Sequence, residues 1–468
     1  MGGYGKPGTI GELKASGYKV KRLREEMRHN LLKKIRSGEE IFPGIIGYSQ
    51  TVIPQIENAI ISGQDMILLG ERGQAKSRIM RDLINLLDDE IPIIAGCEVN
   101  DNPYNPICKR CREMVAEMGD NTEIAWLPRH ERYGEKLATP DVTMGDLIGD
   151  VDPIKVAEGR YLSDELTIHY GLIPRTNRGI FAINELPDLA ERIQVGLFNL
   201  MEEQDVQIRG YRVRLPLDVL LVASANPEDY TNRGRIITPL KDRYGAQIRT
   251  HYPATINEEI LIMDMERRQF ADEDIRITVP QFMKEIIAQI THLARQSPDI
   301  NQTSGVSVRV SIANYETVIS NSVRRAVRLK EKTAVPRISD LFYLHASMDG
   351  KIELESSLEE TKGPKIIDDL IEKAILEVFN RYCQPAMLES VLLPFQKGLT
   401  VEVSDLLHSQ FYLDMLKKLP GIERALKNLN CTDCPESTAA GIEFILEGLY
   451  TTRRLSKTRL PNKRVYGR

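Results

Sequence analysis

Met66-Ile-Leu-Leu-Gly70-Glu71-Arg72-Gly73-Gln74-Ala75-Lys76-Ser77 is the stretch on which the reading of this chain turns. Four apolar residues read as a buried strand, the glycine-bearing run as a turn, and Lys76 as the start of a helix. A loop of this kind suits phosphate for physical reasons. Glycines let backbone N–H groups curl around phosphate oxygens, a lysine neutralises the β/γ charge, and a hydroxyl ligates Mg²⁺ at the positive end of a helix. Ala75 stands where the general pattern has glycine. It is tolerable there if its φ is negative, its methyl then only narrowing the approach to the phosphates.

The rest of the composition sets bounds. At 468 residues the chain can hold two or three domains. Hydrophobic content of 42%, charged content of 28% and a net charge of −5 describe a soluble globular protein. Nothing in that balance points to nucleic acid or a membrane surface. The apolar runs are too short to span a bilayer, and the first residues lack the apolar core of a signal peptide, so the cytoplasm is the expected location. Among six cysteines, Cys108-x-x-Cys111 and Cys431-x-x-Cys434 have metal-ligand spacing and could together make a four-thiolate zinc site. They lie far apart in the chain, and reduced thiols are the expected state.

Residues 8–38 carry apolar positions at helical spacing among many charges, a charged helical lead-in. Thr51 to Ser62 reads as a helix, and strand-like runs follow the phosphate loop at Ile91-Pro-Ile-Ile-Ala, Gly179-Ile-Phe-Ala-Ile and Val219-Leu-Leu-Val-Ala-Ser. Strands alternating with helices predict an α/β fold with a central parallel sheet covered on both faces. Residues 206–214 alternate about Gly210, the pattern of a β-hairpin. Beyond about residue 254 strand signals fade, and Glu258–Phe270, Gln281–Arg295, Arg309–Leu329 and Ile338–Ser347 read as helices. Asp349–Lys365 reads as a connector, Ile366–Tyr382 as a further helix, and the basic run after Tyr450 as a solvated end.

Two further strands carry candidate chemistry. The strand from Gly179 ends in Asn184-Glu185, where Glu185 can polarise an attacking water and Asn184 can reach the water shell of a magnesium ion. The run from Val219 ends at Ser224-Ala-Asn226, whose amide, set between the other two strands, would position that water or read a γ-phosphate. Leu240-Lys-Asp-Arg243-Tyr then places an arginine of the kind supplied across a subunit boundary to stabilise transition-state charge.

In this order the motifs resemble the AAA+ ATPases of the MoxR and magnesium-chelatase ATPase-subunit clade. Gly-x-x-Gly-x-Ala-Lys-Ser is similar to the MoxR form of the loop. Gly149-Asp-Val-Asp152, then Gly171-Leu-Ile-Pro-Arg-Thr-Asn177-Arg178-Gly-Ile, resembles the chelatase pattern ahead of its Walker B strand. The likeness runs from about Gly44 to Arg309. It implies Lys76 and Ser77 as the Walker A pair, Asn184 and Glu185 as Walker B, Asn226 as sensor 1, Arg243 as the arginine finger and Arg309 as sensor 2. It implies Ile46-Gly47 as the segment against adenine and Arg178 as a second trans-acting arginine. Asn184 stands where the family has Asp, and Val310 where it commonly has Ala.

The implied organisation is a lead-in at 1–38, an AAA+ nucleotide domain at 39–254, a helical lid at 255–348 and a C-terminal helical region at 349–468. The nucleotide domain carries a helix-2 insert at about 141–173 and the hairpin at 206–214. ATP and Mg²⁺ are the implied cofactors, with Ser77 and Asn184 on the metal and Gly70 to Ser77 on the phosphates. The implied activity is ATP hydrolysis by a homo-oligomeric, hexameric ring that remodels a partner in a chaperone-like way, a von Willebrand factor A domain protein being the expected one. Two alternatives stand beside it: the ATPase subunit of a magnesium chelatase, and a nucleotide-gated scaffold with weak turnover. The related enhancer-binding activators are disfavoured, because the insert lacks their Gly-Ala-Phe-Thr-Gly-Ala loop.

Overall fold

A computed structural model describes residues 5–152, 154, 157, 165–202, 205–207, 214–226, 235–269, 275–302, 304–354, 359–460 and 463–468. The chain divides into two compact units, Met1–His251 and Tyr252–Arg468.

Five parallel strands centre the first unit: β1 (Met66–Leu69), β2 (Tyr133–Leu137), β3 (Gly179–Asn184), β4 (Val219–Ala225) and β5 (Ala246–Arg249). Their order is β5-β1-β4-β3-β2. The interior strands β3 and β4 are buried along their whole length, as a parallel sheet covered on both faces requires. Alternate residues feed two separate cores. Ile180, Ala182, Leu220 and Val222 meet the helices Leu23–Ser37 and Val52–Ile61 and the phosphate-loop helix Lys76–Asp82 through Met27, Ile56 and Met80. Phe181, Ile183, Leu221 and Ala223 face the other way, against Ile173, Leu186 and Leu197. The fold class is therefore the α/β arrangement that the strand pattern predicts.

One strand differs from expectation. The run at Ile91 does not join the parallel sheet; Glu90–Ile94 pairs antiparallel with Ile124–Pro128. The place beside β3 is taken by β2, Tyr133-Gly-Glu-Lys-Leu. As an edge strand, β2 needs no continuous apolar run, so its polar sequence hid it. The lead-in forms two helices, Ile10–Ala15 and Leu23–Ser37. Within residues 141–173, expected from the resemblance to be an insert, Gly149–Val151 pairs antiparallel with Ile168–Tyr170; residues 153, 155–156 and 158–164 lie outside the described set. Asp205–Gln207 pairs antiparallel with Arg214–Pro216, and the rest of the expected hairpin, 208–213, lies outside that set too.

The second unit shares one core. Helices Gln281–Gln296, Val308–Leu329, Glu359–Tyr382 and Pro435–Thr451 all contribute to it, so the residues read from sequence as lid and as C-terminal region pack together. Pro435–Thr451 is buried on every side from Ser437 to Leu449, which is how an enclosed helix must read. Phe282 stacks on Phe444 at 4.4 Å, and Phe379 meets Phe444 edge-on. Gly448 permits this approach: a Cβ there would lie 1.9 Å from the Phe379 ring.

The basic tail corrects expectation. Ser456–Leu460 and Lys463–Gly467 form an antiparallel ladder, extended by Val401–Val403. Buried Lys457 bonds Glu447 at 2.6 Å, and the Tyr466 hydroxyl donates to the same carboxylate. Among the described residues no helix is long and apolar enough to cross a membrane.

Candidate functional site

The strand order groups the polar tips. β4 lies between β1 and β3, so Asn226 follows a strand flanked by the phosphate loop on one side and Asn184-Glu185 on the other. In open parallel sheets, ligands sit beyond the carboxyl ends of the strands. Lys76 opens its helix, and its buried Nζ donates to the carbonyls of Gly70 and Glu71 and, at 2.6 Å, to Asn226 Oδ1. One cation thus joins the loop to the β4 tip.

Ser77 reaches the neighbouring tip. Its hydroxyl donates to Asn184 Oδ1 at 3.1 Å, and the Ser224 hydroxyl donates to the same oxygen at 3.2 Å. The Glu185 backbone N–H in turn donates to Ser224 Oγ. Asn184 Nδ2 donates to Glu135 on β2, and this fixes the amide's orientation, with its oxygen turned toward Ser77. Glu135 is itself held by a two-point bond to Arg81, both distances 2.8 Å, and that bond keeps its carboxyl below the usual range. Neither Glu135 nor Ser224 carries a sequence signal. A glutamate in an unrecognised edge strand is visible only once the strand is placed.

The loop is strained where it turns. Ala75 adopts φ +56°, in the left-handed region, not the negative φ under which alanine is comfortable. That conformation costs an L-residue roughly 1–2 kcal/mol. Glu185 also sits at φ +55°. Strain on two residues flanking the same cluster is the pattern associated with functional sites. Gly70 is required by contact: a Cβ would lie 2.0 Å from Thr250 Oγ1 and 2.2 Å from Gln74 Oε1, which bond each other at 2.6 Å. Glu71 and Gln74 bond within the loop, Gly73 supplies a second positive φ of 77°, and Arg72 is exposed at the tip.

The Ile46-Gly47 segment is tied to this loop through its neighbour. The buried Tyr48 hydroxyl donates to the carbonyls of Gln74 and His251 at 3.0 and 2.7 Å. Burial pushes that phenol's pKa up to about 12, so it stays a donor. Ile46 and Gly47 are half-buried, with Gly47 at φ +84°.

No protein-family profile matches the chain. Over 295 residues it is 25% identical to magnesium-chelatase subunit ChlI-2 of Arabidopsis thaliana, covering 60% of this chain and 66% of that protein. It is 29% identical to the magnesium-chelatase 38 kDa subunit of Cereibacter sphaeroides over 238 residues, 50% of this chain and 65% of the relative. The chain is an AAA+ relative of the magnesium-chelatase subunits. It spans slightly less than two thirds of the length of these two proteins. A chain in the cryo-EM-based modelling of the BchI–BchD complex of magnesium chelatase aligns with a TM-score of 0.36 at 20% identity, over 69% of this chain and 98% of that one.

The three arginines of this chelatase relative have separate placements. Arg243 ends the helix Thr238–Arg243, bonds Glu202 at 2.7 Å and the Pro239 carbonyl at 2.9 Å, and lies over the Phe198 ring. It is outside the hydrogen-bonded cluster of Lys76, Ser77, Asn184 and Asn226. Arg309 belongs to the second unit, exposed in the first turn of Val308–Leu329. Arg178 corrects the expectation of a trans-acting group. It is buried, donates to the Pro92 carbonyl, and is lowered to about 10 by burial and by neighbouring Arg132. A guanidinium so enclosed holds the Ile91 strand against β3 and cannot reach another chain.

Proposed function

We propose that this chain is an ATP-hydrolysing AAA+ motor that works as a homo-oligomeric ring, a hexamer, in the cytoplasm. The observation that carries the reading is the convergence of Lys76, Ser77, Asn184 and Asn226 from three adjacent strand tips. In this reading residues 39–254 hold the nucleotide and 255–348 act as the lid. Lys76 neutralises the β/γ-phosphates, the loop N–H groups cradle them, and Ile46-Gly47 borders the adenine. Ser77 and Asn184 Oδ1 hold Mg²⁺, which would supply charge neutralisation at the phosphates; Glu135 places a carboxylate one side chain behind that neutral amide. Glu185 activates water and Asn226 orients it. Arg243 completes the neighbouring protomer's site, which requires it to leave Glu202, and Arg309 serves as sensor 2.

The work done is remodelling of a partner protein, for which a von Willebrand factor A domain protein is our first candidate. The alternative reading, the ATPase subunit of a magnesium chelatase, is favoured by what the relatives are. A nucleotide-gated scaffold would follow if Asn184 holds the metal too weakly for turnover.

The test is kinetic. Phosphate release should require Mg²⁺, Glu185→Gln should bind ATP and hold it, and Arg243→Ala should bind ATP without turning it over. Parental turnover in Arg243→Ala would remove the trans-acting assignment, and no Mg²⁺-dependent release from the parental chain would leave the scaffold. Capture with Glu185→Gln separates the first two readings. A von Willebrand-type protein supports the remodelling motor, and a porphyrin-binding subunit supports the chelatase.

A further inference from the structure

Away from the nucleotide cluster, four side chains with metal-ligand chemistry come together in the first unit. The ligand atoms of Cys97, Asp101, Cys108 and Cys111 all lie within 4.8 Å of one another. Every cysteine of the chain is free, so no disulfide accounts for the grouping. Thiolates around a tetrahedral zinc with Zn–S near ~2.3 Å sit about 3.8 Å apart, so the four need only a small contraction to close on an ion.

Two local features point to a metal and not to idle thiols. Asp101 is fully buried, and its Oδ1 has no hydrogen-bond partner, while Oδ2 accepts from the Cys108 N–H at 3.1 Å. A buried carboxylate oxygen without a donor is costly, and a cation is the natural way to satisfy it. Two sulfurs also accept backbone N–H groups: Cys97 Sγ from Asp101 at 3.3 Å, and Cys108 Sγ from Cys111 at 3.4 Å. Such bonds favour the thiolate form that zinc requires.

We propose that Cys97, Asp101, Cys108 and Cys111 form a structural zinc site with a three-sulfur, one-oxygen donor set. All four positions are taken by protein, which is the closed form of a structural site and leaves no coordination place for substrate. Its role follows from what the loop touches. Asn177 Nδ2 donates to the Val99 carbonyl at 2.9 Å, and Asn100 Nδ2 to the Arg175 carbonyl at 2.7 Å. The zinc-bound loop thereby braces the turn that enters β3, the strand ending in Asn184-Glu185. The ion staples the excursion between Ile94 and the helix Lys109–Met118.

Elemental analysis of the full chain, purified without chelator, should give about one zinc per chain. Cys108→Ser/Cys111→Ser should lose it, and Cys431→Ser/Cys434→Ser should keep it. Asp101→Asn, which leaves all thiols in place, should weaken zinc by about tenfold or more. Co²⁺ added to the metal-free chain should produce thiolate-to-metal charge-transfer absorption, weaker in Cys97→Ser, which keeps two of the three thiolates; this readout survives if the double variant does not fold. A parental chain that holds no zinc and gives no such absorption with Co²⁺ overturns the proposal. So does iron with sulfide in the purified protein, a Cys108–Cys111 disulfide in its place, or zinc that leaves with Cys431 and Cys434.

Discussion

The strand-tip cluster of the first unit and the core of the second bury charge in opposite styles. In the first, polar groups gather at the tips of β1, β3 and β4, Ala75 and Glu185 beside them adopt positive φ, and Ser77 is exposed. In the second, Arg337 has a side chain with no exposure, bonded to Glu331 and the Leu407 carbonyl and lying over the Tyr412 ring. Glu331 also accepts the Ser409 N–H, and Arg325 pairs with Asp340. That network joins helices and loops of one core. The first arrangement leaves room for chemistry, and the second is spent on holding a shape. A buried polar residue is therefore no functional signal until its partners are known.

The largest test of this contrast is Arg337→Met. Removing one partner leaves Glu331 buried with its charge uncompensated, a loss of about 3–5 kcal/mol. Denaturant unfolding of the full chain should show that loss, while ATP affinity below the transition stays at the parental value. Lys76→Ala should do the reverse. Two or three charge-assisted bonds to phosphate are worth about 3 kcal/mol or more, at least a hundredfold in affinity, and the melting temperature without nucleotide should move little. If Lys76→Ala unfolds the chain as Arg337→Met does, the lysine is structural and the contrast fails.

The contrast also explains what could be read from sequence. The phosphate loop, β3 and β4 were legible because apolar runs end abruptly in polar residues, and the helices Gln281–Gln296 and Val308–Leu329 because their apolar spacing is periodic. Glu135 was invisible because β2, Tyr133-Gly-Glu-Lys-Leu, has no apolar run to mark it as a strand. Cys97 and Asp101 were invisible as partners of the C-x-x-C pair, since no fixed spacing links them to it. Cys431 and Cys434 share that spacing and have different surroundings: Cys431 Sγ donates to the Leu429 carbonyl, and Cys434 caps the helix Pro435–Thr451. The tail read as solvated because its charge hides one alternating face, where Lys457 and Tyr466 turn inward to Glu447.

Asn184→Asp sharpens the comparison within the first unit. The amide donor to Glu135 becomes a second carboxylate, so without metal the chain should lose about 1–2 kcal/mol near neutral pH. Two facing carboxylates have raised pKa values, so stability is retained at low pH and lost as pH rises through them. Added Mg²⁺ should restore it, and so should Glu135→Gln in the same chain, a coupling that a double-mutant cycle measures. Equal destabilisation at all pH values, with or without Mg²⁺, would show that the two side chains do not interact.

The smallest effect belongs to Ala75→Gly. Relief of the left-handed strain should stabilise by roughly 1–2 kcal/mol, and the added freedom of glycine in the unfolded chain should cancel about 0.5–1 kcal/mol of that. The net gain is therefore about 1 kcal/mol or less, a rise of a few degrees at most for a unit of this size. The side chain here is a single methyl packed at the edge of the core under β1, so a loss in place of that gain would mean that packing, and not backbone strain, governs the turn before Lys76. ATP affinity decides the same point independently. If strain at Ala75 holds the loop N–H groups in place, glycine loosens them and affinity falls even as the melting temperature rises; if the methyl only crowds the phosphates, both rise together.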